Sequence, residues 1–273
     1  MEVPFLRIGQ VNPHYGVIYG GIETYVKYTS MELIRRGHEV VVFSLSRKTE
    51  LASNIGPSIS VLGVPIPLGL FKGISKHKLD LIHVHVNSPI AIEMATLLSS
   101  VKGIPVVATY HADPLVEEIS QVKFAKLIEW MYTLILKIEC ECFSKIIVSS
   151  PLYPEVSKVL RHFRKKILVA PPGCDHIKRP RVSRDEARSE LGVDQEAFVL
   201  LFVGRLVPYK GIDCLIKALS LLKSSDSNFK RLKLYIVGGG REMPSLRVLT
   251  DKLGLREDVF FVGRVSKEKL PLY

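Results

Sequence analysis

Two cations five positions apart carry the most specific chemistry in this sequence. They lie in Phe202-Val203-Gly204-Arg205-Leu206, followed by Tyr209-Lys210-Gly211. An apolar run closes on Gly204, and Arg205 stands where its fork of donors would face a ligand at a strand end. Lys210 comes just before a helical stretch. A guanidinium and an ammonium converging at a helix start suit paired phosphoryl groups, because they neutralise a bound diphosphate and stabilise one that departs. The plainer alternative is a solvated surface charge pair, and the flanking pattern argues against it.

Other clusters fall at comparable points. Gly20-Gly21-Ile22-Glu23 separates a strand from a helix. Paired glycines admit a ligand to the backbone, and a helix start offers free N–H groups and a positive dipole end; a plain turn would read the same way. Tyr110-His111-Ala112-Asp113 follows an apolar strand, where ionisable groups rarely serve packing. His111 there can donate to a sugar hydroxyl or a phosphate oxygen. Val237-Gly238-Gly239-Gly240-Arg241 is a strand-to-helix glycine turn that would let a nucleotide approach. His83 and His85 share one face of a strand and, with His111 and Asp113, admit a metal reading. That reading finds no further ligand set in the second half and gives Arg205 and Lys210 no role, so no metal is expected. Trp130, Tyr132 and Phe143 lie within a helix and read as core.

The elements that must position these residues alternate between strand and helix. Phe5–Val11 alternates as a strand, a polar Gly-rich loop covers 12–21, and apolar positions at Ile22, Tyr25, Val26, Thr29, Leu33 and Ile34 mark a helix that Gly37 ends. Strands are expected over Glu39–Ser44, Leu79–Val86, Ile104–Tyr110, Lys145–Ser149 and Ile167–Ala170, with helices over Pro89–Val101 and Val122–Phe143. Continuous apolar runs such as Ile104-Pro-Val-Val-Ala are those of parallel strands covered on both faces. The fold class is α/β. The composition turns to Pro, Gly and Arg around Pro171–Arg184, which divides the chain into domains 1–177 and 178–273. Beyond the boundary come strands Phe198–Val203, Leu232–Val237 and Val259–Val262, and helices Ile212–Lys223 and Glu242–Leu253. Ser266 is expected to cap one more helix. Three strands are half of a doubly wound sheet, so the second domain reads as incomplete, with its last strand on an open edge.

The chain has 273 residues, 47% of them hydrophobic and 24% charged, which excludes disorder and leaves room for a sizeable core. Its four cysteines make no disulfide framework. No secretory signal opens it, and the apolar stretch Leu127–Ile138 is too short to span a membrane, so a reduced, cytoplasmic protein is expected. The net charge of +11 suits anionic partners. No RNP box, zinc finger or basic zipper is present, so no nucleic-acid partner is expected. The basic run Arg161–Lys166 could touch an acidic membrane surface, though a solvated helix end explains it as well.

GGIE after the first strand, then DLIHVHV, VVATYHAD, KIIVSS, PPGCD, LLFVGRLVPYKGID and LYIVGGG occur in that order. Together they resemble the GT-B-fold retaining glycosyltransferases, of the family 4 type, related to glycogen, sucrose-phosphate and phosphatidylinositol-mannoside synthesis. The resemblance covers essentially the whole chain, and the GRL…YKG segment is its most specific part. It implies two Rossmann-like domains facing each other, the second binding a sugar nucleotide and the first binding the acceptor. Arg205 and Lys210 would hold the donor diphosphate in catalysis, and His111 would contact the transferred sugar. Gly20 and Gly21 would line the phosphate and sugar, Gly238 and Gly239 would lie near the nucleoside, and Asp113 and Gly204 join the substrate-binding set. The implied reaction is front-face displacement in which the leaving diphosphate helps deprotonate the acceptor, with no cofactor or metal. The implied partners are a nucleotide sugar and a glycan or lipid-linked acceptor, with peripheral membrane contact. The family's pattern continues past "KEKLPLY" with a glutamate-bearing segment. The resemblance therefore implies a chain cut short or completed by a second polypeptide, and keeps open a non-catalytic nucleotide-sugar-binding module.

Overall fold

The computed structural model describes residues 4–15, 20–45, 51–55, 58–61, 64–86, 90–113, 124–173, 182–225, 229, 231–266 and 268–273. Part of the expected Gly-rich loop (16–19), the expected helix starts at Pro89 and Val122, and most of the boundary segment (174–181) lie outside the described residues. The chain divides into two compact units, 1–173 and 174–273.

The first unit is built on a seven-stranded sheet ordered β3-β2-β1-β6-β7-β8-β9. Its strands are β1 (Arg7–Val11), β2 (Glu39–Ser44), β3 (Ala52–Asn54), β6 (Leu81–Val86), β7 (Val106–Tyr110), β8 (Lys145–Val148) and β9 (Ile167–Val169). Every pairing is parallel. A short antiparallel hairpin, β4 (Ser58–Val61) with β5 (Val64–Pro67), precedes β6. The order reverses between β1 and β6, and in such sheets ligands bind outside the strand carboxyl ends at that point. Helix α1 (Gly21–Arg35) follows β1 and ends before Gly37, whose φ of +90° is the left-handed value a glycine accepts.

Period-two alternation sorts β6 cleanly. Ile82, Val84 and Val86 enter the main apolar core with helices α2 (Leu70–Lys76), α3 (Ala91–Lys102) and α4 (Ala125–Cys142). His83 and His85 point to the opposite face, which α1 covers through Ser30 and Tyr25. Among the described residues Tyr15, Val26 and Val42 form a small apolar cluster there.

The long helix α4 departs from the expected core. Leu136, Glu139, Cys140 and the following Phe143 are buried, whereas Leu127, Met131, Leu134 and Ile138 are exposed. Trp130, read as core, is 63% exposed. The turn 160–166 is a pair of short 3-10 turns rather than a helix end, and Lys166 donates to the Cys140 carbonyl at 3.0 Å, at the last turn of α4. Among the described residues, α2 and the four-residue α5 (Tyr153–Val156) have no counterpart in the sequence reading of this unit. Among the described residues no helix is long and apolar enough to cross a membrane.

The second unit is a three-stranded parallel sheet of β10 (Phe198–Val203), β11 (Leu232–Val237) and β12 (Val259–Gly263). Helices α6 (Arg184–Leu191), α7 (Ile212–Ser225) and α8 (Met243–Lys252) accompany it. Its core joins Leu206, Ile212, Ile216 and Leu219 to Leu234, Ile236 and Leu246. A capping box starts α6: Ser183 Oγ accepts from the Glu186 N–H, and the Glu186 carboxylate accepts from the Ser183 N–H. Ser266 accepts the Leu270 N–H through its carbonyl at 3.0 Å and begins only a 3-10 turn, Leu270–Leu272.

Candidate functional site

In the first unit the expected residues gather at the carboxyl ends of β1, β6 and β7. Gly20 is the residue before α1, with extended backbone and no side chain capping the helix. The N–H groups of a helix's first turn have no partner within the helix and attract anions. A methyl carbon placed on Gly21 would meet nothing within 4 Å. One placed on Gly20 would lie 2.6 Å from a Glu23 carboxylate oxygen, so the chain's own anion lies beside the helix start. A phosphate arriving there would displace a flexible side chain, not backbone.

His111 stands just beyond β7 and is half-buried. Its Nε2 lies 3.3 Å from His85 Nδ1, and the Tyr25 ring meets it edge-on at 5.6 Å. Behind it runs a buried polar row. His85 Nε2 is 2.9 Å from Gln10 Oε1, Gln10 Nε2 donates to Ser30 Oγ at 2.8 Å, and His83 Nε2 is 2.8 Å from Thr109 Oγ1. Loss of water around these rings lowers the pKa of His83 and of His111 to about 4, and that of His85 well below the usual imidazole range, so all three are neutral at pH 7. Both ring nitrogens of His85 are thus engaged, by Gln10 and His111, and His83 Nε2 faces Thr109. Among the described residues no group of three or more His, Cys, Asp or Glu is arranged to hold a metal ion.

Asp113 is near His111 in sequence but is engaged elsewhere. One of its carboxylate oxygens accepts from Tyr110 Oη at 2.8 Å and Ser157 Oγ at 2.7 Å, and the other accepts from the Lys158 N–H at 3.0 Å. Its own N–H donates to Tyr153 Oη at 2.6 Å. These bonds tie the strand end to the α5 segment and account for the residue without a ligand.

In the second unit the carboxyl ends of the three strands are zipped together. Gly204 donates to the Val237 carbonyl at 3.0 Å, Leu206 to that of Gly239 at 3.1 Å, and Gly238 to that of Gly263 at 2.7 Å. Gly238 has φ +137°, and a methyl carbon on it would lie 1.8 Å from the Gly204 carbonyl oxygen. The missing side chain at Gly238 thus lets one loop pass another. At Gly239 the same carbon would meet the Arg264 side chain at 3.1 Å.

Arg205 and Lys210 are brought together by a residue between them. Arg205 Nη2 donates to Tyr209 Oη at 2.7 Å, and Lys210 Nζ lies 5.3 Å from the centre of the same ring. The Pro208–Lys210 turn and Gly211, with φ +64°, then lead into α7. Both cations are exposed, and among the described residues neither forms an ion pair with a carboxylate. A cleft of about 640 Å³ in this unit lies elsewhere, along Tyr235, Arg247, Arg256, Phe260 and Tyr273, and contains none of the expected site residues. Gln10, Ser30 and Thr109 carry no assignment from sequence, and Tyr209 figures there only as a spacer. Sequence places His83 and His85 on one face of a strand, and the strand register supplies their partners.

Comparison with known proteins follows this division. Residues 19–177 match the family model described as Glycosyltransferase Family 4, and residues 183–273 match that described as Glycosyl transferases group 1. A D-inositol 3-phosphate glycosyltransferase of Actinosynnema mirum is 25% identical over 86% of this chain and 62% of its own length. The chain thus spans about three-fifths of such relatives. Sucrose-phosphate synthase of Thermosynechococcus elongatus superposes with a TM-score of 0.76 at 20% identity, over 98% of this chain and 73% of that one. Anabaena Alr3699/HepE in complex with UDP-glucose does so with a TM-score of 0.63 at 20% identity, over 97% and 70%.

Proposed function

The chain belongs to glycosyltransferase family 4, and from that premise we propose that it moves a sugar from a nucleoside-diphosphate sugar to a hydroxyl of a glycan or lipid-linked acceptor, with retention of anomeric configuration. The observation that carries the reading is the Arg205–Tyr209–Lys210 cluster at the end of β10, where two exposed cations are held beside backbone loops. In the step, the bond from the anomeric carbon to the diphosphate oxygen breaks. A bond from that carbon to the acceptor oxygen forms on the same face, and the hydroxyl proton passes to the departing diphosphate. Arg205 and Lys210 stabilise the charge that develops on the leaving group. Gly20 and Gly21 take phosphate and sugar at the start of α1, His111 touches the transferred sugar, and Gly204, Gly238 and Gly239 shape the nucleoside side. No carboxylate base is required, which agrees with an Asp113 whose oxygens are already engaged. A phosphorylated or lipid-linked acceptor suits the net charge of +11, and with it a place on the cytoplasmic side, at the membrane surface.

The relatives guide the first assay: UDP-glucose, found in the Anabaena protein, and inositol 3-phosphate, named for the A. mirum enzyme. Arg205→Ala and Lys210→Ala are each expected to weaken UDP binding or turnover by about tenfold or more, the worth of one charge-assisted contact. Unaltered calorimetric affinity and turnover in both variants would refute the reading. The reading kept open beside it is a module that binds the sugar nucleotide without turnover. Titration with UDP and GDP beside a sugar-release assay separates the two, since release by this chain excludes the module.

A further inference from the structure

We infer that Ser30, Gln10 and His85 form a buried relay that fixes the tautomer of His111, leaving its Nδ1 as the hydrogen-bond acceptor offered to a reactant hydroxyl. The hydroxyl rests on the reading above; the tautomer does not.

The row runs outward from the helix. Ser30 on α1, Gln10 on β1 and His85 on β6 are each 0% exposed. Strand register brings the sheet residues together: Gln10 lies opposite His83, two residues before His85, and His85 lies opposite Thr109, two before His111. The Gln10 amide is oriented with its Nε2–H on Ser30 Oγ at 2.8 Å, and in that orientation its Oε1, 2.9 Å from His85 Nε2, accepts. His85 therefore carries its hydrogen on Nε2. A neutral imidazole has one N–H, so His85 Nδ1 is a lone pair. It lies 3.3 Å from His111 Nε2, which must then be the donor. The hydrogen of His111 is thereby committed inward, and Nδ1 is left bare.

Both rings are neutral, because burial lowers the pKa of each. An imidazolium at His85 would donate from both nitrogens and reverse the last bond. Rotation is restrained as well. The His85 and His111 rings lie within 20° of parallel, and Tyr25 meets both edge-on at 5.9 and 5.6 Å. A purely structural polar row would end inside the protein. This one ends on a half-buried ring at the carboxyl end of β7. The sequence expectation that His111 donates is thus turned round: Gln10 and His85 are positioning residues, and His111 accepts from a hydroxyl.

The test is the nitrogen spectrum of the full chain labelled with 15N-histidine, read by long-range 1H–15N correlation at neutral pH. The wild type is expected to show His111 protonated on Nε2 and bare on Nδ1. His85→Phe removes the inward acceptor and Gln10→Met frees the His85 tautomer, and each is expected to give a mixture at His111. Ser30→Ala, a substitution a helix favours, keeps the test usable should either core variant fail to fold, and is expected to admit the second tautomer. An Nδ1–H tautomer in the wild type, or an unmixed His111 spectrum in the folded variants, overturns the relay. None of these readouts needs a donor or an acceptor. If the tautomer is as stated but UDP-glucose leaves the Nδ1 signal unmoved, the relay stands and the assignment of His111 to the sugar fails.

Discussion

Replacing Gly238 by alanine puts a methyl carbon 1.8 Å from the Gly204 carbonyl oxygen and 2.9 Å from the carbon behind it. A comfortable carbon–oxygen separation is roughly 3.3 Å, so the two loops must part by about 1.5 Å. Both loops are held by the backbone bonds that would yield, from Gly204 to Val237 and from Gly238 to Gly263. Losing them costs about 1 kcal/mol each, and forcing an L-residue to φ +137° adds about 1–3 kcal/mol. The sum, about 3–5 kcal/mol, is a large share of the roughly 5–15 kcal/mol that stabilises a typical domain. Because the loop also carries Arg205, UDP affinity should fall with it. The chain's one tryptophan, Trp130, belongs to the first unit, so its emission is blind to this damage and serves as the internal control. Hydrogen–deuterium exchange resolved by peptide is the assay. Amides of β10, β11 and β12 should exchange about a hundredfold faster, as about 3 kcal/mol implies, while β1, β6 and β7 stay protected. Wild-type protection across β10–β12 would refute the reasoning.

Gly21→Ala is the opposite case: nothing lies within 4 Å of the new carbon, and alanine in a helix is worth about 0.5–1 kcal/mol over glycine. The urea midpoint of the first unit should hold or rise while donor affinity falls, and a variant with undiminished affinity counts against a phosphate at the start of α1. Asp113→Ala strands the Tyr110 and Ser157 hydroxyls and the Lys158 N–H. It should lower the stability of the first unit by about 2–4 kcal/mol, read as a shifted Trp130 transition. Glu139 is 5% exposed, and burial, with Glu93 nearby, raises its pKa to about 8. A carboxyl raised on folding stabilises while it is protonated, so its contribution is whole below about pH 4.5 and is lost as pH climbs to about 8. The Trp130 transition should weaken over that window by a few kcal/mol, and Glu139→Gln should flatten the loss; equal pH slopes in the two proteins would rule this out.

How much was legible in the sequence depended on whether a signal was local. Glu39–Ser44, Phe198–Val203 and Leu232–Val237 were read with the bounds observed, because each writes a near-continuous apolar run, although Phe198, Leu201 and Val203 are exposed in the structure. The hairpin was not read: β5 contains Pro65 and Pro67, which argue against a strand. Helix α6 buries Ala187 alone, so it has almost no apolar stripe, although its Ser183 and Glu186 spelled a capping box that could have been found. The exposed Trp130 was missed because α4 is apolar on the face that is exposed and has Glu139 on the buried one. Gly20, Gly21, Arg205 and Lys210 could be picked out as residues that lead or follow strands. The Gln10–His85 contact could not, because its partners are 75 positions apart and only strand register joins them.

Tyr209 has a consequence for how an anion would be recognised. Lysine and arginine side chains each give up about 2 kcal/mol of rotamer freedom when fully immobilised, and at most surfaces that loss falls on the moment of association. Here the phenol has already narrowed the wandering of both, so folding bears part of the ordering in advance. A short, rigid ligand touching little apolar area would then find two charges waiting in place, and selectivity would come from the fixed spacing between them rather than from the extent of the contact.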